Sequence, residues 1–324
     1  MDKNKIKKIL FLRTEHLGDY GLSLPALKAL REHFPKAKID VVIGPWNLDF
    51  AKATPYIDDI IVFDNILIKR NLKYKEILKI VFREFKKFHE FFKKVNKEKY
   101  DLIFSLSDRK YNSIFLKFIK AKKKISGLSF SNPGINENLR IRRFLEMNGL
   151  GIKDYSISLK YSKSDKDKID NLIKNMKGDK IIIHPITFLP EKNWPIEKWI
   201  KLVNNILEYK KNTKIILTGG REDLGGINKI IEKIKDKKRC YVFAGKINVI
   251  QSIYLIGKSS LIIGNDSGPV HWAELTNTKI ISLFGPTDSV RWGTPKDKGK
   301  VLKGKKIEDI SVDSVFSEVK KIIK

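Results

Sequence analysis

The sequence is poor in cysteine and in long apolar runs, and each shortage excludes a class of protein. Cys240 is the only cysteine, which rules out an internal disulfide and a zinc site built from two or four cysteines and fits a reducing compartment such as the cytosol. No run approaches the roughly 18 apolar residues of a membrane-spanning helix. The apolar residues 9–12 are too few for the hydrophobic region of a signal peptide. We therefore expect a soluble protein that is not integral to a membrane.

Acidic residues are also scarce relative to basic ones. The chain has 37 Asp and Glu against 66 Lys and Arg, a formal net charge of +29. Such a charge favours a polyanionic partner: nucleic acid, an anionic membrane face or a phosphorylated glycolipid. Because 42% of the residues are hydrophobic, the chain can offset the entropy of ordering and fold. Its 324 residues correspond to about two ordinary domains.

Short apolar runs bounded by turn residues alternate with helical patterns, which predicts parallel sheets with crossover helices. The strands predicted in the first half are residues 9–12, 39–43, 59–63, 100–106 and 124–128. Those predicted in the second half are residues 180–184, 213–218, 240–244, 260–264 and 279–284, with helices at 195–209, 223–235, 248–257 and 269–275. A lysine-rich stretch, residues 153–167, separates two α/β units, and residues 307–324 have the spacing of a packed terminal helix.

The basic segment, residues 69–99, departs from this alternation. It holds 12 basic residues against 4 glutamates, a local charge of +8. Its apolar residues at helical spacing are Val81, Phe85, Phe88, Phe92 and Val95, and its basic residues include Lys79, Arg83, Lys86, Lys87, Lys93 and Lys94. A basic amphipathic helix is typical of attachment to an anionic interface. The alternative is a surface helix that packs its phenylalanines on the core and leaves its lysines in solvent.

A polar loop follows the first predicted strand and leads into a leucine-rich helix. Asp19 lies in this loop, at the carboxyl end of a strand, where open α/β sheets bind ligands. The simpler interpretation is that Asp19 only caps the helix by accepting hydrogen bonds from free backbone N–H groups. The glycine pattern of a dinucleotide-binding loop is absent from this position.

A second loop, residues 264–271, follows a strand and opens a helix. Ser267, Gly268 and the following backbone amides would form a phosphate site, because a helix N-terminus attracts anions. Asp266 could accept a hydrogen bond from a sugar hydroxyl. His271 lies one helical turn further on and either faces the same crevice, braces the loop or simply packs the helix.

Two further loops leave strand ends in the second half. The loop of residues 184–195 offers Thr187 and Lys192, and the loop of residues 219–222 ends at Glu222. Each is an ordinary strand-to-helix loop when taken alone. A phosphate-binding loop, a lysine, an acidic residue and a histidine at neighbouring strand ends together indicate a site for a nucleotide diphosphate.

Four ordered motifs carry a family resemblance. They are HLGDYGLSLPAL at 16–27, the loop at 184–195 in which a lysine precedes Trp-Pro, IGNDSGPVHWA at 263–273 and FGPTD at 284–288. Together they resemble family 9 glycosyltransferases, the ADP-heptose:lipopolysaccharide heptosyltransferases, in order over residues 7–295. The resemblance implies an α/β GT-B architecture, with two Rossmann-like domains facing across a cleft. It assigns the acceptor to residues 1–158 and the nucleotide-sugar to residues 159–306, and implies that helix 307–324 packs back on the first domain.

The resemblance also implies roles for individual residues. Asp19 matches the general base, Lys192 the donor-diphosphate contact and Glu222 an acceptor for the adenosine ribose. The donor-sugar and phosphate loop is matched by Asp266, Ser267 and Gly268. An inverting transfer from an ADP-sugar to a lipopolysaccharide or lipooligosaccharide core acceptor follows, with the departing charge stabilised by lysine and amides, and thus without metal or other cofactor.

Glu15 and His16 depart from the family pattern, which has small residues before Leu-Gly-Asp. They place a carboxylate and an imidazole near Asp19, where two like charges disfavour each other's ionisation. We count both as acceptor-side candidates, together with Lys79, Arg83, Lys86 and Lys87 of the basic segment.

The sequence thus predicts a cytoplasmic enzyme that contacts the inner membrane peripherally, its partners being a nucleotide-sugar and an anionic lipid-linked oligosaccharide rather than nucleic acid. Three alternatives stay open: the same fold with another nucleotide-sugar and glycan acceptor, a basic nucleic-acid-binding protein, and a catalytically inactive sugar-binding relative.

Overall fold

A computed structural model of the chain describes residues 5–64, 74–107, 110–127 and 134–323. These residues divide into two units, with a boundary between Lys160 and Tyr161, two residues beyond the predicted one. Residues 137–160 belong to the first unit, and residues 134–136 to the second. Residues 69–73 of the basic segment and Leu128 of the last strand predicted in the first half lie outside the described residues.

A parallel sheet forms the centre of the first unit. Its strands are β1 (Lys8–Arg13), β2 (Lys38–Ile43), β3 (Asp59–Val62), β4 (Tyr100–Ser105) and β5 (Ala121–Ser126). Their order is β3-β2-β1-β4-β5, and every neighbouring pair is parallel. The central strands are apolar on both faces because helices cover both, whereas β5 carries exposed lysines that protect the sheet edge.

Helices connect these strands and supply the core of the first unit. They are α1 (Leu17–His33), α2 (Leu48–Lys52), α3 (Tyr74–Arg83), α4 (Phe85–Lys97), α5 (Lys110–Phe118) and α6 (Glu137–Met147). Phe88, Phe91 and Val95 of α4 are buried against the sheet in a cluster with Phe63 and Phe115. Most of the predicted phenylalanine stripe therefore packs on the core, as the alternative interpretation of the basic segment expected.

The second unit is also built on a parallel sheet. Its strands are β6 (Asp179–His184), β7 (Thr213–Leu217), β8 (Cys240–Val242), β9 (Leu261–Asn265), β10 (Lys279–Phe284) and β11 (Gly299–Lys303). Their order is β11-β10-β9-β6-β7-β8. The predicted α/β class is thus confirmed in both units, although β11, a short strand with three lysine and glycine residues among five, was missed.

Seven helices are described in the second unit. They are α7 (Lys163–Ile173), α8 (Ile196–Tyr209), α9 (Leu224–Glu232), α10 (Val249–Gly257), α11 (Gly268–Ala273), α12 (Ser289–Trp292) and α13 (Val312–Ile322). Helix α7 begins inside the predicted separator because Ser162 caps its N-terminus, accepting a hydrogen bond from the backbone N–H of Asp165.

The terminal helix α13 packs on the second unit. The resemblance placed residues 307–324 on the first domain, but Val312, Val315 and Val319 of α13 are buried in the core of the second unit, against α8. The indole N–H of Trp194 donates a hydrogen bond at 3.0 Å to the carbonyl oxygen of Ile310, in the turn that precedes α13. The apolar face of α13 is therefore satisfied within the second unit.

Candidate active site

The polar loops of the second unit meet at one edge of its sheet. Strands β9, β6 and β7 are consecutive neighbours and parallel, so the loops that follow them leave from the same side. These are the loops in which the sequence placed Asp266, Lys192 and Glu222.

A buried charge cluster links two of these loops. The ammonium of Lys192 lies 2.6 Å from Oδ2 of Asp266, and Nε2 of His271 lies 3.2 Å from Oδ1 of the same carboxylate. Nδ1 of His271 faces Glu274 at 3.7 Å. The structure therefore brings Lys192, Asp266 and His271 together, and His271 braces the loop by holding the carboxylate of Asp266.

Contacts within the cluster shift the pKa values of His271 and Asp266 in opposite directions. Burial alone would lower the pKa of His271, but hydrogen bonds and charge from Asp266 and Glu274 outweigh burial and raise that pKa to about 9. Burial opposes ionisation of Asp266, yet its contacts with His271 and Lys192 hold its pKa well below the usual range. The contacts between these two side chains therefore favour a protonated His271 beside an ionised Asp266.

Two asparagines that the sequence analysis missed shape the loop after β6. The side-chain amide of Asn193 accepts from the backbone N–H of Thr187 at 2.7 Å and donates to its carbonyl oxygen at 3.2 Å. Asn265 donates to the carbonyl oxygen of Pro185 at 2.8 Å. A polar residue at the end of an otherwise apolar strand, as Asn265 is, was the signal that could have identified it.

Ser267 and Gly268 lie at the start of α11. Among the described residues, the hydroxyl oxygen of Ser267 has no hydrogen-bond partner, although it is buried. A Cβ at Gly268 would lie 3.0 Å from the Trp272 ring, so a side chain here would crowd the first turn. The Thr187 hydroxyl, in contrast, donates a hydrogen bond to the carbonyl oxygen of Leu189 at 3.0 Å and thereby stabilises its own loop.

The loop after β7 is held by a carboxylate that the sequence analysis did not single out. Asp223 accepts the backbone N–H of Gly220 at 2.7 Å, and burial, with the charge of Glu222, raises the pKa of Asp223. Glu222 itself is exposed. A Cβ at Gly220 would lie 2.2 Å from the Glu222 carboxylate, so this position requires glycine unless Glu222 moves.

Asp19 in the first unit is surrounded by a different set of partners. Its Oδ2 accepts the backbone N–H of His16, the N-cap residue of α1, at 3.3 Å, and its Oδ1 lies 3.7 Å from the Arg13 guanidinium. Arg13 also donates to the carbonyl oxygen of Asp19 at 3.0 Å. Asp19 thus caps α1 in part, as the simpler interpretation expected, while 22% of its side chain stays exposed.

Glu15 lies across Arg13 from Asp19. The Arg13 guanidinium is 3.8 Å from the Glu15 carboxylate, and both side chains are about 95% buried. Neither oxygen of that carboxylate has a hydrogen-bond partner among the described residues. The Arg13 guanidinium therefore lies between the carboxylates of Glu15 and Asp19 and offsets their repulsion. The sequence analysis did not identify Arg13.

The described basic residues of α3 and α4 differ in exposure. Lys79, Arg83 and Lys86 are exposed. Lys87 is partly exposed, with its ammonium 3.4 Å from the exposed carboxylate of Asp64 and 5.5 Å from the centre of the Phe63 ring. The assignment of these four residues to the acceptor side stays a prediction.

The described residues contain neither a membrane-spanning helix nor a cluster of metal-ligand side chains. None of the described helices has the length and apolar character needed to cross a membrane. Likewise, the described part of the chain contains no group of three or more histidine, cysteine, aspartate or glutamate side chains arranged to hold a metal ion.

Two parallel-sheet α/β units, each with polar loops at the carboxyl ends of its strands, are the arrangement of the GT-B fold. The sequence pattern of glycosyltransferase family 9 (heptosyltransferase) matches residues 141–315. The chain belongs to this family, and it is an enzyme, a glycosyltransferase.

Relatives and solved structures agree with this assignment. The chain is 26% identical to lipopolysaccharide heptosyltransferase 3 of Escherichia coli over 296 residues, 85% of this chain and 81% of the relative. A family 9 glycosyltransferase from Veillonella parvula has a similar fold, with a TM-score of 0.80 and 20% identity over 98% of this chain and 97% of the other. The ADP-heptose lipopolysaccharide heptosyltransferase II of Escherichia coli gives a TM-score of 0.77 and 17% identity over 98% of each chain.

Proposed function

We propose that the protein transfers heptose, or a related sugar, from an ADP-sugar to a lipopolysaccharide or lipooligosaccharide core acceptor, with inversion at the anomeric carbon. The observation that carries the proposal is the cluster of Lys192, Asp266 and His271 in the family-matched part of the chain. The names of its relatives, which are lipopolysaccharide and lipooligosaccharide heptosyltransferases, support the choice of sugar and acceptor.

Asp19 is proposed as the general base. It takes the proton of the acceptor hydroxyl while that oxygen forms a bond to the anomeric carbon, and the bond from this carbon to the diphosphate oxygen breaks in the same displacement. The partial exposure of its carboxylate supports this role, since a base must reach the proton that it accepts. Arg13 is its closest described cation and limits how the carboxylate can turn.

Lys192 is proposed to bind the donor diphosphate. Its ammonium is paired with Asp266 at 2.6 Å, so binding a diphosphate requires Lys192 to share its charge between the two anions. His271 makes this possible, because a protonated imidazole stays on the other oxygen of Asp266 and keeps that carboxylate compensated. The backbone amides after Ser267 add hydrogen-bond donors for the departing charge, so the proposal includes no metal and no other cofactor.

Glu222 is proposed to accept a hydrogen bond from the adenosine ribose, since its carboxylate is exposed beside the loop after β7. The first unit is proposed to bind the acceptor, and the second the donor. A lipid-linked acceptor places the reaction at the cytoplasmic face of the inner membrane, in peripheral contact with it, and the net charge of +29 suits such a surface.

The direct test supplies the purified protein with ADP-heptose and a delipidated core oligosaccharide, and detects the product by mass spectrometry, with and without a chelator. Heptose added to the core in both samples is the expected result. Product with only another nucleotide-sugar would support the same chemistry on a different donor. Loss of product on chelation would contradict the metal-free proposal. Turnover of no nucleotide-sugar at all would favour an inactive sugar-binding relative.

A further inference from the structure

Helices α3 and α4 expose a line of large apolar side chains on the face that does not pack on the core. Phe82 is 86% exposed, Phe85 is 62% exposed and Leu78 is 49% exposed. Their spacing of four and three residues places them in succession along one side of the helical segment, and the Phe85 ring stacks on His89 at 5.8 Å. We call Leu78, Phe82 and Phe85 the apolar line.

The apolar line is not needed to build the first unit. The core of that unit takes Phe88, Phe91 and Val95 from the other side of α4. Exposing two phenylalanines to water gains nothing for folding, because their apolar area stabilises only when it leaves water. The apolar line is therefore available to an external partner.

Exposed basic side chains flank the apolar line. Lys75, Lys79, Arg83 and Lys86 are all exposed, and Arg83 also contacts Glu84 at 3.1 Å. Long basic side chains next to apolar ones match the boundary of an anionic bilayer, where the apolar groups enter the acyl region and the cations stay with the phosphates. Single-stranded nucleic acid fits less well, because Leu78 has no aromatic face on which a base could stack.

We propose that the apolar line inserts into the headgroup–acyl boundary of an anionic bilayer, while Lys79, Arg83 and Lys86 contact the lipid phosphates. This deepens the proposed function, on which it rests for the assignment of the acceptor to the first unit. The amphipathic face expected from the sequence was Val81, Phe85, Phe88, Phe92 and Val95. The structure packs all of these on the core except Phe85, which it leaves exposed in line with Leu78 and Phe82.

The test measures co-sedimentation of the full chain with vesicles of phosphatidylglycerol and phosphatidylcholine and with vesicles of phosphatidylcholine alone. The double variant Phe82→Ser, Phe85→Ser should bind the anionic vesicles about tenfold or more weakly than the wild type, because it removes the inserted rings. Phe82→Trp should retain binding and shift its added fluorescence to shorter wavelength on anionic vesicles. Met147→Ser, which changes another apolar side chain that is 68% exposed in the same unit, should bind like the wild type.

The charge contribution has its own matched pair of variants. The triple variant Lys79→Gln, Arg83→Gln, Lys86→Gln should lose most of the salt-sensitive binding, roughly tenfold or more at low salt. The same charge change on α7, Lys163→Gln, Lys166→Gln, Lys168→Gln, should lose much less. Equal losses in both triple variants would mean that net charge alone attracts the vesicles, and would overturn the proposal.

Two further outcomes decide the inference. Unchanged vesicle binding by the double serine variant would overturn it, as would weaker binding to a single-stranded oligonucleotide with vesicle binding intact. The inference and the proposed function are separated by assaying transfer to the delipidated core oligosaccharide. The double serine variant should keep wild-type turnover there, and a wild type that binds vesicles through this surface but transfers no sugar would contradict only the proposed function.

Discussion

Asp19 and Asp266 are both acidic residues in strand-to-helix loops, but their surroundings suit them to different tasks. Asp266 is buried between Lys192 and His271, which hold its pKa well below the usual range and so make it a weak proton acceptor. Asp19 keeps part of its carboxylate exposed and contacts one cation at 3.7 Å. We therefore propose Asp19 rather than Asp266 as the base, and Asp266 as the residue that organises charge.

Replacing Asp19 with asparagine should lower kcat by about 10² to 10⁴ and leave donor affinity nearly unchanged, because the amide cannot accept the proton. Its side-chain oxygen can still accept the N–H of His16, so α1 keeps its cap. Steady-state kinetics and ADP binding by calorimetry provide the measurements, with Asp49→Asn on α2 as control. A normal kcat would reduce Asp19 to a helix-capping residue.

Lys192→Ala should weaken ADP binding by about 10- to 100-fold and lower kcat as well. The positive charge that contacts the diphosphate is then missing both from the donor complex and from the transition state. Lys192→Arg should recover part of both. Lys201→Ala, which removes an exposed lysine of α8, serves as the control. Unaltered ADP affinity in Lys192→Ala would show that Lys192 only compensates Asp266.

His271 makes the stability of the second unit depend on pH. Folding raises the pKa of His271 from 6.5 to about 9. The stabilisation that the protonated imidazole gives the folded state is therefore complete below about pH 6.5 and is lost as the pH rises through 9. The difference in unfolding free energy between wild type and His271→Gln should therefore be greatest near pH 6 and shrink towards pH 9.5. Denaturant unfolding at several pH values measures it, and a difference independent of pH would argue against a charged His271.

Helix α13 shows how an element can be predicted correctly and assigned to the wrong neighbour. The apolar spacing of residues 307–324 indicates a helix with one buried face, but it does not identify what covers that face. The structure covers it with α8 and strand β10, and Trp194 anchors the turn that precedes the helix. The terminal helix thus contributes to the stability of the second unit.

Val315→Ala tests this placement. Removing two buried methyl groups should destabilise the second unit by about 2 kcal/mol through lost apolar burial and a residual cavity. Amide hydrogen exchange should show faster exchange in α8 and β10, with the first unit unaffected. Ser317→Ala, at an exposed position of the same helix, serves as the control. Faster exchange in the first unit instead would contradict the placement.

The net charge of +29 acts on every polyanion that the protein meets. Attraction of this kind is not sequence-specific and weakens steeply with salt, because it depends on the release of counterions. It is therefore compatible with a glycosyltransferase and does not require a nucleic-acid partner. The structure supports this interpretation, since the exposed basic residues include many outside α3 and α4, as on β5 and α7.

Binding to a random-sequence oligonucleotide should fall by about 10³ or more between 50 and 200 mM salt. Sugar transfer to a delipidated acceptor should change much less, because Lys192 is buried beside its partners. Fluorescence anisotropy and the transfer assay, run at the same salt concentrations, check both. Oligonucleotide binding that is sequence-selective and persists at 200 mM would instead favour the nucleic-acid alternative.

The sequence by itself determined the features that depend on neighbouring residues. Alternating apolar runs and helical spacing predict parallel α/β units because burial on both faces of a sheet imposes that composition. The order of the motifs predicts the family, and the loop positions of Asp19, Lys192 and Asp266 follow from strand ends. These local signals were sufficient for the class of fold and for placing Lys192, Asp266 and His271 in neighbouring loops, but they did not identify Arg13, Asn193 or Asp223.

Tertiary structure alone decided which of two possible partners each group meets. Arg13 stands between Glu15 and Asp19, His271 holds the carboxylate that Lys192 also contacts, and α13 packs within the second unit. The helical spacing of α4 is equally compatible with a lipid-facing or a core-facing phenylalanine stripe. Only packing against the sheet resolves it, because the free energy of burying an apolar side chain depends on the surface it meets and not on its place in the sequence.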